Sequence, residues 1–309
     1  MESENMSFPS YAPRVGVNTP GAPDLESIEL SHCLGKVIAT EGFMTWFVGV
    51  PVCYTFLIVV FTRLGWWKGE KSVRGEMKMT HLMSFMLVSL ICCIYISVAG
   101  LTLYLGLFGV DEQYTILMHN KFYARSTFVE RHLLTPMFCY QVWNTLNCFL
   151  YNELFSPMMI MHHAATCMLQ VLGFLPFLHS ECFFFIGIAE ITNLPLTWMD
   201  VCKAKPEWKE RWPNAYSLNQ LVFAIAFLSI RVIIWPMRAI PVWWELGGLL
   251  AAGQARNETV AYGFIAISSV LSVMQVMWGH KIASIALHNI KLLFAGSSEP
   301  PKPTKKKVA

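Results

Sequence analysis

Charge is what this chain has least of. Only 14% of its 309 residues are Asp, Glu, Lys or Arg, against roughly 25% in a soluble globular domain. Such a chain cannot coat a water-facing surface. The net charge of +3 is too small to argue for nucleic acid as a partner. The nine cysteines contain no C-x-x-C pair, so neither a zinc ribbon nor a redox couple is indicated. Most of them (Cys53, Cys92, Cys93, Cys139, Cys148, Cys167) lie inside apolar runs, where a thiol is a small buried hydrophobe. Alternating strands of about ten residues, the mark of a membrane barrel, are missing too. The first 42 residues place Glu2, Glu4, Pro9, Pro13, Pro20 and Pro23 before any long apolar run. A secretory signal needs a basic start and an early apolar core, so insertion is expected to fall to the first membrane span.

Apolar residues are abundant: 55% of the chain is hydrophobic and 14% aromatic, with a mean hydropathy of +0.46. A helix needs about 20 apolar residues to cross the hydrocarbon core. Seven windows qualify, at 43–62, 82–108, 133–152, 157–178, 182–199, 218–237 and 260–279, the third and fifth being the least apolar. The expected fold class is therefore an all-α polytopic membrane bundle of about seven transmembrane helices, because helices satisfy their own backbone in lipid. The chain divides into a polar, Pro-containing arm (1–42), a first helix with its basic loop (43–77), a membrane domain (78–294) and a basic tail expected to be disordered (295–309). An amphipathic stretch at 280–294 follows the last window.

Basic residues orient such a bundle. Arg63, Lys68, Lys71, Arg74 and Lys78 follow the first window, Lys203, Lys205, Lys209 and Arg211 the fifth, and Lys291, Lys302, Lys305, Lys306 and Lys307 the last. With seven spans these fourteen share one side, against seven on the other, which puts the C-terminus in the cytosol. Lys306 and Lys307 stand fourth and third from the end, a spacing similar to the dilysine retrieval signal of the endoplasmic reticulum. That membrane is the expected residence, with the mitochondrial inner membrane as the alternative. The other explanation of the tail is contact with anionic lipid. Of two glycosylation sequons, Asn5-Met6-Ser7 is free and Asn257-Glu258-Thr259 abuts the last window.

Ionisable groups at membrane depth cost of order 2.5–3.5 kcal/mol each on insertion scales and normally face the bundle interior. Five windows carry polar residues at helical spacing: Tyr140, Asn144 and Asn147; His162 and His163 with Thr166; Glu190, Asn193 and Thr197; Gln220 with Arg231; Ser268, Ser272 and Gln275. One such stripe is interhelical glue. Five on consecutive helices suggest a polar chamber, or else buried ion pairs such as Glu190 with Arg231 that only fix packing. The adjacent histidines are the sharpest feature. A neutral imidazole is a base or nucleophile near pH 7, and a carboxylate such as Glu190 can orient it. Adjacent histidines point about 100° apart and converge poorly on one ion, so no metal is expected.

Met161-His162-His163-Ala164-Ala165-Thr166 resembles the His-His-x-x-Thr helix of the TLC-domain family, the membrane fold of ceramide synthases and other lipid-associated proteins. Glu190-Ile191-Thr192-Asn193-Leu194-Pro195 resembles the Glu-x-Ser/Thr segment of its non-ceramide-synthase branch, and Ile230-Arg231 with Pro236 that branch's helix of buried arginine and proline. The chain departs from the family in two places. The His-Asp-x-x-Asp motif of ceramide synthases is absent, and Asn144 stands where relatives usually carry aspartate after Tyr140.

Two functions follow from the resemblance. In the first, the protein is a lipid acyltransferase without a bound cofactor and with acyl-CoA as co-substrate. His162 or His163 would serve as base or nucleophile beside Glu190, and Tyr140, Asn144, Thr166, Asn193, Arg231 and Gln275 would bind the lipid. In the second, it is a non-catalytic lipid-binding protein, or a subunit of a larger membrane complex. Its partners in either case are membrane lipids, with other membrane-protein subunits in the second. A retinal protein is disfavoured because Lys281 lies beyond the last window, and the Asp-Arg-Tyr and Asn-Pro-x-x-Tyr signatures of rhodopsin-like receptors are missing.

Overall fold

The computed structural model describes residues 30–72, 77–106, 122–175 and 177–294. Among them 84% are helical and none is in a strand. The helices are α1 (Leu30–Ala39), α2 (Phe43–Arg63), α3 (Met79–Leu105), α4 (127–150), α5 (Pro157–Gly173), α6 (His179–Ala204), α7 (Pro206–Arg211), α8 (Pro213–Ala251) and α9 (Glu258–Phe294). Prolines open α5, α7 and α8, where a missing N–H costs nothing. Gly106, at φ 63°, closes α3 in the left-handed conformation that glycine adopts without strain.

Five of these helices, α2, α3, α6, α8 and α9, are long and apolar enough to cross a membrane. The other two windows fall on α4, whose apolar run is broken by Gln141, Asn144 and Asn147, and on α5, which is 17 residues long. The stretch at 280–294 is no separate element. It continues α9 without a break to Phe294, because no glycine or proline interrupts residues 280–294. A short helix, α1, also occupies the end of the polar arm. The dilysine, the tail and the sequon at Asn5 lie outside the described residues.

Contacts between loops fix which ends of the helices lie together. At one end Lys205 pairs with Glu70, and Glu153 accepts from Ser72 and from the Met77 N–H at 3.2 Å. The basic segments after α2 and α6 and the turn between α4 and α5 therefore meet. At the other end the Tyr123 hydroxyl accepts from the Arg256 N–H at 3.0 Å, the Leu178 N–H donates to Phe122 O, and Glu41 pairs with Arg131. His179, wholly buried, ties that end together. Its Nδ1 accepts from the Ser126 N–H at 2.9 Å, which leaves Nε2 to donate to Gly173 O at 2.7 Å.

The main core collects side chains from α1, α2, α3, α4, α5, α6, α8 and α9. Its tightest crossing is α3 on α6, where Gly100 and Gly187 touch backbone to backbone and neither has room for a Cβ. Small residues at such crossings let helices in lipid gain van der Waals contact. Three helices are locally unwound. Wider π turns occupy Glu130–Leu134 in α4, Phe183–Gly187 in α6 and Leu228–Ile234 in α8, and α6 then tightens into a 3-10 turn over Ile188–Thr192. Such distortions are rare and gather at functional sites. Here they carry Glu190 and Arg231.

Candidate functional site

Glu190 and Arg231 face each other from α6 and α8, each about 5% exposed. Arg231 Nη2 donates to Glu190 Oε1 at 3.2 Å and to Ala189 O at 2.9 Å, and its Nε donates to Thr192 Oγ1 at 2.7 Å. Asn193 Nδ2 donates to Glu190 Oε2 at 2.6 Å, and the Cys93 thiol stands 3.7 Å from the same oxygen. The guanidinium is thus spread over three acceptors in one turn of α6. This is the arrangement that makes a buried charge tolerable.

The pair forms part of the wall of a cavity of about 70 Å³. Helix α5 lines it with His162, Thr166, Gln170 and Gly173, α6 with Glu181, Cys182, Phe185, Ile186 and Glu190, and α8 with Arg231, Trp235, Ala239 and Trp243. Phe264, Ser268 and Leu271 of α9 close it. From His162 to Gly173 is eleven residues, or about 16 Å at the rise of an α-helix. The cavity is therefore a slot along the bundle. His162, Glu190 and Arg231 stand at one end, and most of the remaining wall is apolar.

The two histidines part company here. His162 lines the slot and meets the Trp278 ring edge-on at 5.4 Å. His163 is 4% exposed but is not in the wall. Neither Nδ1 has a partner. The carboxylate oxygens of Glu190 go to Arg231 and Asn193, so this acid orients no imidazole here. Thr166 lines the slot but turns its hydroxyl back to His162 O at 2.8 Å.

Tyr140 and Asn144 bond to each other at 3.2 Å within α4 and lie behind the slot, with Tyr140 beside Cys93. Gln275 is buried, unpartnered and outside the wall. Several contributors carry no mark that charge or motif would reveal. Trp243 and Trp235 donate to Ser268 and Ser272 at 2.8 and 3.0 Å and hold α8 to α9. Gln170 follows His162 and Thr166 on one face of α5, a spacing the sequence does display. Among the described residues no cluster of three or more His, Cys, Asp or Glu could hold a metal ion.

The family model described as TLC domain matches residues 39–284. The chain belongs to the TLC-domain family. The match spans α2 through most of α9 and so contains the entire slot and the Glu190–Arg231 pair. No curated protein and no solved structure matches the chain. Family membership, with the apolar helices, identifies a membrane protein and is consistent with a lipid-related one.

Proposed function

We propose that this TLC-domain protein binds a membrane lipid by taking one acyl chain into the slot, with the polar end of the lipid beside His162 and Arg231. The shape of the slot carries this reading: it is long, narrow and mostly apolar, with Glu190 and Arg231 at one end and a second ion pair, Glu181 with Arg238, toward the other. Arg231 bonds α6 through Nε and Nη2, and a guanidinium N–H suits a carboxylate or phosphate oxygen. The resting volume is small, so a whole chain enters as Phe177, Phe185 and Phe264 turn aside. In this reading all seven windows span the membrane, the polar residues line the end of a chamber, the C-terminus is cytosolic and the protein resides in the endoplasmic reticulum.

A second reading, imidazole catalysis, is favoured by His162, which meets the slot with Nδ1 unpartnered. There His162 takes the proton of an acceptor hydroxyl or amine, and the acceptor attacks the thioester carbonyl of acyl-CoA. The C–S bond breaks, and the departing thiolate recovers the proton from the imidazolium. The engagement of Glu190 by Arg231 and Asn193, together with the amide at Asn144, speaks for binding over catalysis.

Mass spectrometry of lipid carried through purification tests the first reading. Ala239→Phe, which fills the slot, should remove the lipid that the wild type retains. Equal recovery from both would overturn it. Lipidomics of null cells complemented with His162→Ala or His163→Ala tests the second, since a catalytic base contributes roughly 10²–10⁴-fold to rate. Catalysis requires product to vanish with His162→Ala while bound lipid persists. If neither lipid nor product depends on the slot, the bundle is a structural subunit of a larger complex.

A further inference from the structure

Gln170 is the most deeply enclosed polar group on the slot wall. It is 1% exposed, it lines the cavity, and neither its amide oxygen nor its amide nitrogen has a partner. An unpaired buried amide costs about 1–3 kcal/mol per group, so an amide held against an apolar slot marks a place where a ligand supplies the missing bonds. It lies eight residues beyond His162 on α5, about 12 Å along the slot. Counting eight residues back from Glu190 along α6 and forward from Arg231 along α8 brings Cys182 and Ala239 to the same height. These are small side chains in a wall otherwise built largely from bulky ones. At that height the slot combines spare width with the donor and acceptor of the amide, and the neighbouring carboxylate, Glu181, is engaged by Arg238.

We propose that the ligand is a lipid whose acyl chain carries a hydroxyl or related oxygen near its middle, and that Gln170 selects it. This rests on the slot holding an acyl chain. A hydroxyl donates one hydrogen bond and accepts another, which satisfies both atoms of the amide. A keto or epoxide oxygen satisfies the nitrogen alone. A plain methylene chain satisfies neither and leaves the amide desolvated. The selection works by penalty. A site built to pair with a hydroxyl rejects the analogue that lacks it more strongly than an apolar pocket rejects an extra group.

The test uses the full-length protein in detergent and a fluorescent octadecanoic acid as the reporter. Displacement is measured with unlabelled octadecanoic acid and with isomers hydroxylated near the carboxyl end, at mid-chain or at the terminal carbon. The mid-chain isomer should displace the reporter about tenfold more tightly than the plain acid, and the other two should show no such gain. Gln170→Leu should erase the difference by improving the plain acid as well as by weakening the mid-chain isomer. Equal displacement by all isomers overturns the selection and leaves chain binding intact, whereas failure of the reporter to bind at all overturns chain binding itself. The positional series on the unaltered protein decides the matter even if Gln170→Leu does not fold.

Discussion

Removing one member of the Glu190–Arg231 pair should cost more than the pair itself contributes. Glu190→Gln leaves the guanidinium with Thr192 Oγ1 and Ala189 O, both neutral acceptors. Arg231→Met is harsher. It leaves a carboxylate held only by Asn193 and a thiol, and takes the donor from Thr192 Oγ1. Breaking a buried pair from one side typically costs 3–5 kcal/mol, and Arg231→Met belongs at the upper end. The double variant has no charge left to strand, so its loss should not exceed that of Arg231→Met alone. The resulting coupling is at least about 3 kcal/mol, the loss expected of Glu190→Gln alone, which is the top of the range for contacting residues. Thermal melts in detergent, followed through the eleven tryptophans, would show Arg231→Met falling by about 10 °C or more. The double variant should melt no lower. Losses that add to within about 0.5 kcal/mol would refute a shared electrostatic site.

Three further outcomes are expected. Lys68→Cys, Lys209→Cys and an added C-terminal cysteine should all react with an impermeant maleimide from the cytosolic side, and Gln254→Cys only from the lumenal side; Lys68, Lys209 and Gln254 are exposed. A split among the first three would break the proposed topology. Cys202 is unsuited to this labelling because it is 2% exposed. Gly100→Ala or Gly187→Ala should force α3 from α6 at a cost of about 1–3 kcal/mol or more, read as a lower melting temperature, and an unchanged melt would show that the crossing can relax. Lys306→Ser with Lys307→Ser should release the protein toward the Golgi by microscopy, and its retention in the endoplasmic reticulum would discard the dilysine signal.

The helices were legible because lipid imposes a length and an apolar content that few soluble segments meet. The pairing of Glu190 with Arg231 was legible for a related reason: neither charge can face hydrocarbon cheaply. The divergence of His162 from His163 follows from the rotation between adjacent residues, although which of them meets the slot depends on how α5 packs. The π turns under Arg231 and before Glu190 left no sequence signal, because they are set by contacts between helices. The sixth window ended at residue 237, yet α8 runs on past Pro236 to Ala251. Proline there occupies the first turn after the π stretch, where its missing N–H is easily spared. Gln170 was overlooked because a neutral amide draws less notice than a charge, though its spacing from Thr166 was plain.

The crossing of Gly100 on Gly187 acts as a datum for the whole site. At the other close glycine contacts, Gly173 on Leu134 and Gly279 on Val232, the neighbour is a side chain, which can change rotamer and absorb a small sliding motion. At this point there is only main chain on main chain, and nothing is available to give. Glu190 is three residues further along α6, less than one turn away, so its height is referenced to α3 and not to whatever occupies the slot. Movement that admits a ligand must then be taken up by α4, α5, α8 and α9. The carboxylate serves as a fixed mark against which the other walls open and close.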